Sequence, residues 1–350
     1  MKNTKQVSYL AIFAAVGILI AGCGPSGPSY SEESGNEVDE SSAEPIVDMA
    51  TVAALTGEEI EAGSLSRPSL SAKIDNHPSA RPQVGLDQAD IVFEELVEGG
   101  LTRYVAVWHS DLPPEIGPVR SVRPMDPEIV SPFGGVFAYS GGQVRFIQMM
   151  QRAPVYNAIH GQPDTEETFY RTSAKVAPHN VLVKAPELIS QHLDLAAPDQ
   201  QFLYAASGED PSAVVLGDEV QKINPRFSGF SSPTWEWDEA EESFVRFQTN
   251  GAADSASSGE QITADNVLVL QVAIDVVEDI PTTRLVSQGS GWVATGGFVE
   301  EILWSKAAPE SKIVLTTTTG DSVRLGVGNT WIELIPNDSS DVESGVVTLE

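Results

Sequence analysis

Three short stretches of this chain gather the side chains that could do chemistry. The first is Ile74-Asp75-Asn76-His77-Pro78-Ser79-Ala80-Arg81-Pro82-Gln83. The second is Ile116-Gly117-Pro118-Val119-Arg120-Ser121-Val122-Arg123-Pro124, and the third is Ala177-Pro178-His179-Asn180. Each mixes charged or hydrogen-bonding groups with prolines, which fix φ and leave a loop little entropy to lose on binding. Arg103, in Gly99-Gly100-Leu101-Thr102-Arg103, adds a fourth guanidinium. Guanidinium forks suit carboxylate or phosphate. Asp75, Asn76, His77, Arg81, Arg103, Arg120, Ser121, Arg123, His179 and Asn180 are therefore the expected lining of an anion-recognising cleft. The alternative pairs the same arginines internally, with Asp75, Asp90, Glu94, Glu95 or Glu98.

Asp75, His77 and His179 could instead form an acid/base or metal site, with Arg120 and Arg123 steadying developing negative charge in a hydrolase or transferase. No HExxH motif or paired-histidine spacing is present, so no metal and no other cofactor is expected. Ser140, in Tyr139-Ser140-Gly141-Gly142, falls at a strand-to-helix turn but lacks the Gly-x-Ser-x-Gly frame, and reads as a helix cap. Trp235, Trp237, Trp292, Trp304 and Trp331 could stack on sugars, although single tryptophans on strands more often fill a core. The lack of a coherent catalytic set favours a binding protein over an enzyme.

These loops need strands and helices to hold them. Leu70, Ala72 and Ile74 alternate with polar residues and run as a strand into the first loop. Ile91–Val97 and Leu101–Trp108 flank Glu98-Gly99-Gly100 as a hairpin, with an amphipathic helix the rival over residues 87–97. Gly135–Tyr139 reads as a buried strand, Gln143–Arg152 as a helix, Asn180–Val183 as a strand and Pro186–Leu193 as a helix. The second half shows short β segments, Thr234–Trp237, Phe244–Phe247 and Asn266–Ile274. Gly289–Gly291, Gly296-Gly297 and Thr319-Gly320-Asp321 are the expected turns. The expected class is α+β: a mixed α/β domain over 67–205, then a β-rich sandwich or barrel-like domain over 206–350.

Composition sets the surroundings. The 350 residues carry 50 acidic and 20 basic side chains, a formal net charge of −30. A phosphate backbone attracts basic patches, so no nucleic-acid partner is expected. The charge is uneven: −5 over 67–205, −17 over 206–350, with all five histidines in the first part. Residues 1–22 read as an export signal, with Lys2 and Lys5 ahead of an apolar run. Leu19-Ile20-Ala21-Gly22-Cys23 resembles the bacterial lipobox, which implies a lipidated Cys23. Residues 23–66 hold ten acidic residues and no basic ones, and are expected to be a disordered tether. The expected location is the extracytoplasmic face of the cell membrane, held there by Cys23. The expected partner is an anionic ligand or protein of the cell envelope.

The loop wording resembles the YerB-like family of bacterial lipoproteins, a domain-of-unknown-function family with N-terminal and C-terminal parts. The matching words are Ile74-Asp75-Asn76-His77-Pro78, Ala80-Arg81-Pro82-Gln83, Glu98-Gly99-Gly100, Thr102-Arg103, Gly117-Pro118-Val119-Arg120-Ser121 and Ala177-Pro178-His179-Asn180. Further words are Trp304-Ser305-Lys306 and Thr330-Trp331-Ile332. The resemblance implies an exported, lipid-anchored protein with a mixed N-terminal and a β-rich C-terminal domain, and brings no activity. One departure is Ala138-Tyr139-Ser140-Gly141-Gly142-Gln143, where relatives tend to carry His-x-Gly-Gly-Ser.

Overall fold

Period-two alternation and β-branched runs make most of the regular structure strand. The computed structural model describes residues 51–350; the export signal, Cys23 and the tether as far as residue 50 lie outside them. The first half contributes β1 (Leu70–Asp75), β2 (Ile91–Leu96), β3 (Thr102–Trp108), β4 (Val136–Tyr139) and β5 (Tyr156–Ile159). The second contributes β6 (Asn266–Val277), β7 (Gln288–Thr295), β8 (Phe298–Ser305) and β9 (Thr330–Pro336). All nine join one twelve-stranded sheet in the order β8-β7-β6-β9-β2-β3-β1-β4-β5, completed by three further strands. β9 runs parallel to β2, so strands of both halves lie in one sheet.

The expected mixed α/β first half is therefore corrected to a mostly-β one. Its helices are short, among them α1 (Asp126–Val130) and α2 (Val144–Met150). The second half is neither a closed barrel nor a separate sandwich. Its long strands extend the shared sheet, and a five-stranded sheet built on Lys222–Arg226, Thr234–Asp238 and Ser243–Phe247 lies against it. Trp235, Trp304 and Trp331 are buried, filling core.

β2 shows why the strand wins over the rival helix at residues 87–97. All six of its residues are buried, including Glu94 and Glu95. Successive strand residues face opposite sides of a sheet. Each glutamate meets its own buried cation: Glu95 pairs with Lys73 on β1, and Glu94 pairs with Arg246 from the smaller sheet. Lys73 also reaches Asp126 of α1 at 2.6 Å. Arg246 sits within 4.9 Å of the Trp331 ring centre and also pairs with Asp254. These two ionic clusters tie α1 to one face and the small sheet to the other.

Two further expectations are corrected. The tether does not extend to residue 66: Thr51–Val52 pairs with Glu59–Ile60, and Ala53 and Leu55 are fully buried. The Ala53-Ala54-Leu55 run supplies apolar anchorage that the acidic composition of the longer stretch hides. Gly289 and Gly291 make no turn but lie inside β7, where a Cβ on Gly291 would come 2.3 Å from the Val269 carbonyl oxygen.

Candidate functional site

β1, β4 and β5 run parallel, so their carboxyl ends share one edge. Asp75 ends β1 and leads into His77; Ser140 follows β4 and His160 follows β5. The second loop wedges in beside β1. The Asp75 amide donates to the Pro118 carbonyl at 2.9 Å, the Arg120 amide to the Lys73 carbonyl at 2.7 Å, and the Ser140 amide to the Arg120 carbonyl at 2.9 Å. The third loop lies alongside, with the Val119 amide donating to the Val181 carbonyl at 2.8 Å. Arg103, on β3, faces Asp75 across the ladder. Chain segments far apart in sequence thus meet at one strand end.

They meet in a cleft of about 220 Å³ lined by Asp75, His77, Arg103, Arg120, Arg123 and His179, with Glu98 and the Val97, Leu101 and Thr102 walls. Asp75 is buried and its oxygens are divided. Oδ2 lies 2.7 Å from His179 Nδ1 and 3.3 Å from Arg120 Nε, while Oδ1 accepts the His77 amide at 3.1 Å. The His77 and His179 rings stack with centres 4.3 Å apart and planes 15° from parallel. His77 Nδ1 accepts the Ser79 amide at 3.1 Å.

The three cleft arginines differ in what holds them. Arg123 is taken: its Nε donates to Glu98 Oε2 at 2.9 Å, and its Nη2 lies 2.8 Å from Oε1, a bidentate fork. Burial works to raise the Glu98 carboxyl, but the hydrogen bonds and charge of Arg123 outweigh it and hold it below its usual range. Arg103 has no carboxylate in ion-pair contact among the described residues; its Nη1 donates to the Ser121 carbonyl at 2.8 Å. Burial, with the charge of Arg123 beside it, pushes the Arg103 guanidinium down to about 10 against the opposing pull of Asp75 and Glu98. Arg120 stands between these cases. Its buried Nε is near Asp75 but too poorly aligned for a hydrogen bond.

Four expected site residues do other work. Asn76 is buried, donating to Thr102 Oγ1 at 2.8 Å and accepting from Arg81 Nε at 2.8 Å. Arg81 thereby turns away from the cleft, its Nη1 donating to Gln248 at 2.9 Å. Asn180 accepts from Arg171 and donates to the Thr172 carbonyl. Ser121 bonds the Ser140 carbonyl and lends its own carbonyl to Arg103, so it positions a cleft residue without lining the cleft. Short polar side chains beside a loop satisfy backbone groups before they reach solvent, and spacing alone does not separate these roles. Ser140 is not a helix cap either: α2 begins four residues later, and the hydroxyl lies 3.1 Å from His160 Nδ1. Burial, then the Arg171 charge, lowers the His160 imidazole below its usual range. Glu98, absent from the expected lining, entered the sequence reading only as an internal partner for the arginines, and with Arg123 it is one.

The "Protein of unknown function (DUF3048) N-terminal domain" matches residues 55–201, and the corresponding C-terminal domain matches residues 223–332. This chain belongs to the DUF3048 family. The family resemblance read from the loops is thus established over most of the chain. A similar chain is "Putative lipoprotein YerB" of Bacillus subtilis (strain 168), 24% identical over 305 residues, 84% of this chain and 89% of that one. The crystal structure of YerB from Bacillus subtilis superposes with a TM-score of 0.72 at 22% identity, covering 85% of this chain and 99% of that one. That likeness concerns the fold. Among the described residues, no helix is long and apolar enough to cross a membrane.

Proposed function

We propose that this protein is an exported lipoprotein, anchored through Cys23 at the extracytoplasmic face of the membrane, whose cleft binds an anionic ligand of the cell envelope. The export signal, the lipobox-like Leu19-Ile20-Ala21-Gly22-Cys23 and the similarity to a chain named as a lipoprotein support the anchoring. The observation that carries the binding reading is Arg103, half-buried in the cleft wall with no carboxylate forked to it among the described residues, beside an Arg120 whose buried Nε lacks a hydrogen-bond partner. Arg103, Arg120 and Arg123 against Asp75 and Glu98 leave the cleft one positive charge in excess when both histidines are neutral. An anion supplies the balance. Isothermal titration of the full chain with phosphate, sulfate and acetate tests this. Binding of at least one, lost in the Arg103→Ala/Arg120→Ala double variant, is expected; identical titrations for both proteins overturn the reading.

One contact favours a second reading. Asp75 holds His179 at Nδ1, the geometry that leaves Nε2 of a neutral imidazole free as a general base. Asp75, His77 and His179 would then serve a hydrolase or transferase of the envelope. Hydrolysis of p-nitrophenyl acetate or p-nitrophenyl phosphate that disappears in His179→Ala, while the fold persists, is the result this second reading requires.

A further inference from the structure

An anionic ligand can be planar or tetrahedral, and can carry a proton or none. The cleft's own hydrogen bonds address both. The groups with capacity to spare come from four separate segments: His77 after β1, Arg103 on β3, Arg120 in the second loop and His179 in the third. The one cleft guanidinium already seated in a bidentate fork is Arg123, and Glu98 occupies it. What remains open is a set of donors arriving from several directions, which suits oxygens spread over a tetrahedron better than two in one plane.

The histidines add a polarity. His77 Nδ1 accepts the Ser79 amide, so the proton of a neutral His77 is on Nε2 and that nitrogen is a donor. His179 donates its Nδ1–H to the Asp75 carboxylate, so Nε2 of a neutral His179 is an acceptor. The stacked pair therefore brings one donor and one acceptor to the same cleft wall. A carboxylate or a sulfate offers acceptors only. A phosphomonoester, whose second ionisation lies near pH 6, is in part the monoanion close to neutrality and offers acceptors together with one O–H.

We propose that the cleft recognises a phosphomonoester group, Arg103, Arg120 and His77 donating to its oxygens while its single O–H donates to His179 Nε2. This rests on the anion reading of the same cleft and narrows it. A monoanion matches the one excess positive charge. If the proton passes to His179, a dianion meets an imidazolium and the balance is unchanged. The organic part of the ester would lie on Val97 and Leu101, beside the Gly99-Gly100 turn. Phe230 packs against that turn and is largely exposed.

Titration calorimetry of the full chain with glycerol 3-phosphate, sulfate and acetate separates the possibilities. Glycerol 3-phosphate is expected to bind at one site and at least about tenfold more tightly than sulfate, the worth of one charge-assisted hydrogen bond. Arg120→Ala and His77→Ala should each weaken it by about tenfold or more. His179→Ala should narrow the gap between glycerol 3-phosphate and sulfate, which a merely structural histidine would not do. Arg152→Ala, at an exposed arginine outside the cleft, should leave binding unaltered. Should Arg120→Ala fail to fold, His77→Ala, at a half-buried site, carries the same test. Sulfate or acetate binding as tightly as glycerol 3-phosphate, and depending on Arg120, overturns the phosphomonoester assignment and leaves the anion reading standing. No binding of any of the three overturns both. Dihexanoyl phosphatidic acid then identifies the source: much tighter binding than glycerol 3-phosphate points to a lipid headgroup, and equal binding to a soluble ester.

Discussion

Asp75 and Arg103 stand directly opposite each other on β1 and β3, yet they form no ion pair. The Asp75 carboxylate turns to His179 and the edge of Arg120, and the Arg103 guanidinium turns to the Ser121 carbonyl. Opposite charges facing each other across antiparallel strands ordinarily attract. Here the wedge of the second loop intervenes: the Ser121 carbonyl satisfies one Arg103 donor, and Arg120 competes for Asp75. The result keeps cationic capacity exposed to the cleft instead of cancelled within the sheet.

Asp75→Asn should therefore strengthen anion binding. The amide oxygen can still accept from the His77 backbone, so the turn survives, while a negative charge beside the ligand disappears. A gain of about fivefold in affinity is expected from removing one nearby charge at a partly solvated site. Calorimetry with sulfate measures it. A tenfold loss instead would mean that the carboxylate acts on the ligand through His179, as the hydrolase reading has it.

Arg123 should matter less than Arg120. Its fork is filled by Glu98, so truncation to alanine removes a charge from the cleft without removing a free donor. Glu98→Gln should have the opposite sign, leaving the Arg123 charge uncompensated and tightening anion binding a fewfold. The exposed side of Glu98 keeps the stability cost of that change within about 1 kcal/mol. Affinities measured for Arg120→Ala, Arg123→Ala and Glu98→Gln in the same buffer give the order directly. Equal losses for the two arginines would contradict the division of labour between them.

The loops that meet at the candidate cleft were more legible in the sequence than the sheet that carries them. Proline-bracketed arginines and histidines in an acidic chain marked all three loops, and six of the ten residues they nominated line one cleft. Asn76, Arg81, Ser121 and Asn180 were indistinguishable from these by type. Their work is decided by which backbone carbonyl or side chain lies within reach after folding. The sheet that joins the halves was hidden for a related reason: β9 and β2 are more than 230 residues apart, and parallel pairing leaves no turn signal between partners. Glu94 and Glu95 look like a solvated helix face until Arg246 and Lys73 arrive from elsewhere in the chain.

Glu333 should give the protein a pH-dependent stability. It lies fully buried on β9, accepts the Trp235 indole N–H at 2.7 Å and faces Glu94 across the parallel ladder. Burial, then the Glu94 charge, pushes the Glu333 carboxyl well above its usual range, against the pull of Arg246. The folded state thus holds this proton to a higher pH than the unfolded chain does. Its contribution is full below the ordinary carboxyl range and is lost as pH rises through the raised value. Glu333→Gln keeps the acceptor for Trp235 and never ionises. Urea unfolding at pH 5 and pH 8 should show the variant gaining on the wild type at the higher pH, by about 1 kcal/mol or more. A constant difference between the two proteins would mean that Glu333 is ionised in the folded state at both values.

Gly291 is the position where a residue that looks like a turn is a requirement of packing. It lies in the middle of β7, between β6 and β8, opposite Leu270 and Ile302. A Cβ there would approach the Val269 carbonyl oxygen to 2.3 Å and the Leu270 Cα to 3.2 Å. Both are backbone atoms of a central strand, so no side chain can swing aside to relieve the contact. Alanine ordinarily stabilises a strand relative to glycine by restricting the unfolded chain. The overlap should reverse that sign, and Gly291→Ala should destabilise by about 1–3 kcal/mol, as overpacking does elsewhere. Gly251→Ala should cost less: its φ of +79° brings strain, but open space surrounds the site and no neighbouring backbone has to move. Parallel urea titrations of the two variants compare them. An unchanged midpoint for Gly291→Ala would mean that β6 and β7 can separate locally without loss, and that the sheet is looser there than its ladder implies.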